Sequence, residues 1–111
     1  MEQLLHYVWK HKIFPLSLHQ TPSGRPVEVI DPGLPNMNAG PDFFNAKLKI
    51  DGTLWVGNVE VHTQASDWLL HRHDRDKAYD TVILHVVGES NCDVYRTNGE
   101  LVPQMVLTCP D

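Results

Sequence analysis

Asp51-Gly52 is the strongest short-range instruction in this chain. It stands between two runs, Phe43–Ile50 and Thr53–His62, and Asp-Gly between such runs specifies a tight β-hairpin. In the first run Phe44, Ala46, Leu48 and Ile50 fall on one face, and Asn45, Lys47 and Lys49 on the other. The register decides what happens at the open end. A two-residue turn sets Phe44 opposite Val59, Ala46 opposite Gly57 and Leu48 opposite Trp55, and it leaves Asp42 on the face away from Glu60 and His62. A three-residue turn with a glycine bulge sets Leu48 opposite Leu54 and Ala46 opposite Val56, and brings Asp42 directly across from Glu60. Both registers make sensible apolar pairs.

The open end matters because it carries Gly40-Pro41-Asp42 on one arm and Glu60-Val61-His62 on the other. Two carboxylates held close together can share a divalent cation, and a bound cation can activate water. The same residues also read as an ordinary hairpin with charged ends. A metal site therefore requires a bulged hairpin or a bend at Asp42.

A second group of polar residues follows. His71-Arg72-His73-Asp74 comes after the hairpin, and His85 lies inside the apolar run Val82-Ile83-Leu84-His85-Val86-Val87. Neutral imidazole is the commonest protein ligand for Zn²⁺-like metals. Residues two apart share a strand or loop face but not a helix face, so His71 and His73 are expected to co-ligate if their segment is extended. Otherwise they read as a solvated helix end. His85, in a buried strand, needs a hydrogen-bond partner, and Asp80 and Asp74 are candidates.

Elsewhere the pattern predicts a helix over residues 2–12, with Leu4, Leu5, Val8, Trp9 and Lys12 on one stripe, His6 and Lys10 on the other side, and Pro15 as its stop. Thr21-Pro22-Ser23-Gly24 reads as a turn and Pro26 to Ile30 as a short strand. A long irregular loop runs from Asp31 to Asp42. Ser66 or Asp67 caps a short helix through Arg72, and residues 73–80 add a further helical turn. Thr81 to Val87 reads as a strand buried on both faces. Cys92 to Arg96 and Leu101 to Thr108 read as a second hairpin around Asn98-Gly99, with Pro103 marking an edge. In that hairpin Cys92 faces Met105, which argues against a disulfide to Cys109. Trp55 and Trp68 read as packing residues of the hairpin and of the helix over it. The fold class is α+β: a central mixed sheet in the order helix, strand, strand, strand, helix, strand, plus a C-terminal hairpin.

Composition bounds the function. With 111 residues the chain forms one domain, and 41% apolar with 21% charged residues is a globular balance. A net charge of −5 argues against sequence-blind binding of nucleic acid, although Lys47, Lys49, Arg72, Arg75 and Lys77 leave room for a local basic groove. No run is long and apolar enough to span a bilayer, and residues 1–6 do not form a signal peptide, so the expected location is cytoplasmic with no membrane partner. No phosphate-binding loop and no Gly-x-Ser-x-Gly nucleophile motif occurs.

Pro41-Asp42 with Glu60-x-His62, together with the element order over residues 2–87, resembles the PD-(D/E)xK nuclease superfamily. That resemblance implies a metal-dependent phosphodiesterase: Asp42 and Glu60 as ligands of Mg²⁺ or Mn²⁺, His62 where the family carries Lys, and nucleic acid as partner. Asp42, Glu60 and His62 are then the catalytic set, with His73 and His85 as further or alternative metal ligands. Over nearly the whole chain, a second resemblance rests on Asn38-Ala39-Gly40-Pro41-Asp42-Phe43, Leu54 to His62, Ser66-Asp67-Trp68 and Tyr79 to Val87. These phrases look like an uncharacterised bacterial family known as a domain of unknown function. It implies that the chain is the N-terminal part of a longer protein, whose C-terminal part is a candidate partner. The competing functional readings are a non-catalytic structural or interaction domain and a His/Asp transition-metal-binding domain.

Overall fold

Helix α1 (Glu2–Lys10) forms because Leu5, Val8 and Trp9 recur at helical spacing and bury one stripe. Glu2 in its first turn and Lys10 in its last complement the helix dipole. The buried stripe is narrower than the sequence pattern suggests, because Leu4 faces solvent. The Trp9 indole N–H donates to the Pro32 carbonyl at 2.9 Å and ties the helix to the loop beyond. This computed structural model describes residues 2–11, 19–20 and 24–107. Lys12, Pro15, Thr21–Ser23 and Cys109 lie outside the described residues, and so do the expectations placed on them.

Seven strands form one sheet: β1 (His19–Gln20), β2 (Pro26–Asp31), β3 (Leu34–Pro35), β4 (Phe43–Ile50), β5 (Thr53–Gln64), β6 (Val82–Glu89) and β7 (Gln104–Val106). The spatial order is β1-β2-β4-β5-β6-β7, and β3 pairs with the far end of β4. The pairs from β1 to β5 are antiparallel, whereas β5–β6 and β6–β7 are parallel. The sheet is therefore mixed, and the fold is α+β.

The β4–β5 hairpin resolves the register question in an unexpected place. Asp51 (φ 52°) and Gly52 (φ 80°) both adopt left-handed backbone, the signature of a two-residue type I′ turn. Ile50 accordingly pairs with Thr53, Leu48 with Trp55 and Ala46 with Gly57. Beyond Ala46 the register shifts, and Phe43 pairs with Val59. The extra residue lies in β4 at Phe44–Asn45, with Asn45 at φ 58° and its N–H on the Asn58 side-chain oxygen at 3.2 Å. The bulge is thus in the strand rather than in the turn, and asparagine tolerates the left-handed geometry it needs. It also flips the face of the strand end, so that Phe43 is buried instead of Phe44.

A parallel β5–β6 pair needs a crossover of a dozen residues or more. Residues 65–81 supply it as α2 (Asp67–Leu70) and two 3₁₀ turns, His73–Arg75 and Lys77–Tyr79. The expected C-terminal hairpin shrinks to a single Tyr95–Leu101 bridge around left-handed Gly99. Pro103 has no N–H to continue that ladder. The chain leaves it there, the Pro103 carbonyl accepts the His85 N–H at 2.8 Å, and β7 joins β6 in parallel as an edge strand. Met105 lies opposite Val86 rather than Cys92, and Cys92 is a free thiol.

Two apolar clusters follow from this topology. One packs α1 against Val27, Leu48, Ile50, Val59, Val61, Leu84 and Val86. The other gathers Ala65, Trp68, Val82, Val87, Val94 and Val102 under the crossover. Trp68 is fully buried, as its place in the helix suggests, but Trp55 is 45% exposed and contributes to neither cluster. No helix among the described residues is long and apolar enough to cross a membrane.

Asn45 tests the bulge. Replacing it by Val puts a β-branched residue at positive φ and should cost about 1–2 kcal/mol, while Asn45→Gly should lie within about 0.5 kcal/mol of the parent. Urea denaturation of the two variants measures the difference.

Candidate metal centre

Period-two alternation divides β5. Val59 and Val61 point into the cluster beneath α1, and Glu60 and His62 therefore point to the other side, under the crossover. Both are almost completely buried, with Glu60 4% and His62 2% exposed. His73, at the start of the first 3₁₀ turn, is 6% exposed, whereas His71, which caps the end of α2, is open to solvent.

The bulge in β4 brings Asp42 to the end of β5, next to Glu60. The Asp42 N–H donates to Glu60 Oε1 at 3.1 Å, and Asp42 Oδ2 accepts the Val61 N–H at 2.9 Å. The two carboxylates meet, as the sequence motif requires, but they face different ways. Asp42 Oδ2 also lies 3.3 Å from Nε2 of His6 on α1. Glu60 Oε2 turns to the histidines instead, 2.9 Å from His73 Nε2 and 3.3 Å from His62 Nε2.

His71 completes the group, with its Nδ1 3.3 Å from His62 Nε2. His62, His71 and His73 each offer a ring nitrogen within 4.8 Å of the others. The segment is not extended, so the two crossover histidines meet by another route. Arg72 between them is left-handed at φ 59°, and this single residue turns the chain back on itself. Tyr79 stacks on His73 with centroids 3.6 Å apart, and the Trp68 ring packs edge-on against it at 5.2 Å. His73 Nδ1 is buried and has no partner among the described residues.

His85 is fully buried and does not join this group of donors. Its Nε2 lies 2.7 Å from His62 Nδ1, and its Nδ1 lies 2.8 Å from Gln104 Oε1. Both ring nitrogens are occupied by protein partners, so the expected ligand role falls away. Its partners are also not the expected Asp80 and Asp74. Asp80 instead binds Thr97 through both the backbone N–H and the hydroxyl.

Burial sets the protonation of the site. It drives His62 down to about 3 and His73 and His85 to about 4, with the neighbouring imidazoles adding to the effect on His62. All three are neutral at pH 7, the form that ligates metals. Glu60 is raised well above the carboxylate range, by burial first and then by the Asp42 charge beside it. Burial also works to raise Asp42, but hydrogen bonds from His6 and the Val61 N–H outweigh it and hold the group low.

The family model described as protein of unknown function (DUF2851) matches residues 2–110. The chain belongs to that family. No curated protein and no solved structure matches it. The assignment agrees with the whole-chain resemblance read from the sequence. It brings no activity with it, so the DUF2851 site has to be read from its own geometry.

Two members of that site stood out less in the sequence. His71 was visible in the His71-Arg72-His73 triplet, but its convergence depends on the conformation of Arg72. Gln104 left one signal, a polar residue inside the otherwise apolar stretch from Val102 to Leu107. It is 5% exposed.

The three neutral imidazoles predict acid sensitivity. Unfolded, they titrate near ~6.5; folded, they stay neutral down to about 4 or lower, so unfolding takes up protons in between. Their contribution to stability is full above that window and is lost as pH falls through it. Glu60, raised on folding, acts in the opposite sense with one proton above ~4.5. Three imidazoles against one carboxyl leave a net uptake of roughly two protons, so the urea midpoint should fall steadily from pH 6.5 to 4.5. His62→Phe with His85→Leu should flatten that dependence.

Proposed function

We propose that this domain binds a single transition-metal ion, of the Zn²⁺ type, between His62, His71, His73 and Glu60. One observation carries the reading: His62 Nε2 has His71 Nδ1 and Glu60 Oε2 each at 3.3 Å. Donors on one tetrahedral Zn²⁺, with bonds of ~2.0–2.1 Å, sit roughly 3.3 Å apart. Three imidazoles and one carboxylate suit Zn²⁺ and tolerate Mn²⁺; Mg²⁺ prefers an all-oxygen shell. Asp42 is not a ligand in this proposal. It orients Glu60 through its N–H and supplies the negative charge behind it.

Four protein donors fill a tetrahedral shell, so hydrolysis of a phosphodiester, the chemistry that the nuclease resemblance implies, would require the exposed His71 to give up its place to water. The competing reading, a structural polar network, is favoured by the Glu60–His73 contact of 2.9 Å, which pairs Glu60 Oε2 with His73 Nε2 without a cation, although it leaves the buried His73 Nδ1 unpartnered among the described residues.

Calorimetric titration of the full chain with Zn²⁺ tests the proposal. It should show one site, weakened at least about tenfold in His62→Ala, His71→Ala and His73→Ala, and much less in Asp42→Asn. Equal affinities in all variants, or no heat of binding in the parent, would overturn it. Because Glu60 must release its proton to ligate, affinity should rise with pH through the neutral range, with proton release visible as buffer-dependent heat. A nuclease assay with Zn²⁺ or Mn²⁺, with His62→Ala as control, separates a catalytic from a purely binding role.

A further inference from the structure

We infer that Gln104 and His85 form a buried relay that fixes the tautomer of His62 and aims its Nε2 lone pair at the metal position. The inference rests on the metal reading above and extends it to two residues that touch no ion.

Gln104 Nε2 donates to the Cys92 carbonyl oxygen at 3.0 Å and to Ser90 Oγ at 3.0 Å. A backbone carbonyl can only accept, so the amide cannot be flipped, and Gln104 Oε1 must be the atom facing His85 Nδ1 at 2.8 Å. An amide oxygen also only accepts, so His85 Nδ1 carries the proton. His85 is fully buried, the Trp68 ring is tilted against it at 5.0 Å, and its ring nitrogens face only an amide oxygen and another imidazole, so no anion is at hand to pair a second proton and it carries one. Its Nε2 is therefore a bare lone pair. That lone pair lies 2.7 Å from His62 Nδ1, which must be the donor. A neutral His62 with its proton on Nδ1 has its lone pair on Nε2, the atom that faces His71 and Glu60.

Each step removes one degree of freedom. The backbone at Cys92 fixes the amide, the amide fixes one imidazole, and that imidazole fixes the next. The result is the arrangement seen where a metal-ligating histidine donates its second N–H to a fixed acceptor, which sets ring orientation and raises ligand basicity. It also leaves His62 Nε2 without a proton of its own, so a cation, the Glu60 proton or a proton on His71 Nδ1 has to face that lone pair. Gln104 and His85 are positioning residues: they act through His62.

Long-range ¹H–¹⁵N NMR of the histidine rings in the full chain tests the relay. At pH 7, without metal, His62 and His85 should both show the Nδ1–H tautomer, the minor form of free histidine. An Nε2–H pattern at either residue would overturn the relay, whether or not Zn²⁺ binds. Gln104→Leu removes the acceptor and should release the His85 and His62 tautomers and weaken Zn²⁺ about 10–100-fold. Unchanged tautomers and affinity in Gln104→Leu would also overturn the relay. If Gln104→Leu does not fold, the tautomers of the parent chain decide the question alone. Correct tautomers in a parent that binds no Zn²⁺ would overturn the metal reading and leave the relay standing as a structural network.

Discussion

Strand β5 holds the molecule together, and its alternation is the constraint that the rest obeys. It is the strand where antiparallel pairing changes to parallel pairing, with β4 on one edge and β6 on the other. Its Val59 and Val61 belong to the large apolar cluster, and the residues between them are sent to the opposite face. Burying a glutamate and a histidine there is costly unless each finds partners. The crossover supplies those partners, His71 and His73 from one side and Trp68 as an aromatic wall. The candidate site is in this sense a by-product of how the core is built, and apart from His73 Nδ1 its buried polar groups are paired with one another.

Much of this was legible in the residues themselves. The helix at the start, the two arms of the hairpin, the Asp-Gly turn and the buried β6 strand follow from periodicity and turn chemistry. The meeting of Asp42 with Glu60 was legible as a condition: it needed a bulge. Its location was not, because a left-handed asparagine in mid-strand costs little and leaves no mark in an alternating pattern. Asn45 is nevertheless the residue in β4 most tolerant of that geometry.

The histidine cluster was harder to read for a different reason. Spacing rules assume regular backbone, and Arg72 is not regular. A left-handed arginine has no sequence signature, so from the residues alone His71 and His73 read either as co-ligands on an extended segment or as the solvated end of a helix. The final hairpin misled in a third way: its turn forms, but Pro103 ends the ladder after one bridge and sends the chain to β6. That diversion is what delivers Gln104 to His85, so the departure from local pattern and the placement of the relay have one cause.

The chain order of the donors has a consequence for assembly. Glu60, His62, His71 and His73 lie close together in sequence, on the end of one strand and the turn that follows it. Loop-closure entropy grows with the logarithm of the separation, so gathering these four costs little compared with forming the whole sheet. On the proposed metal reading, this segment would gather its donors for the ion while β7 is still undocked. Gln104 comes from far downstream and joins through the edge strand, so orientation of His62 would be completed after the first ligands are collected. Loading and final alignment would then be separable events, the first local and the second dependent on closure of the sheet.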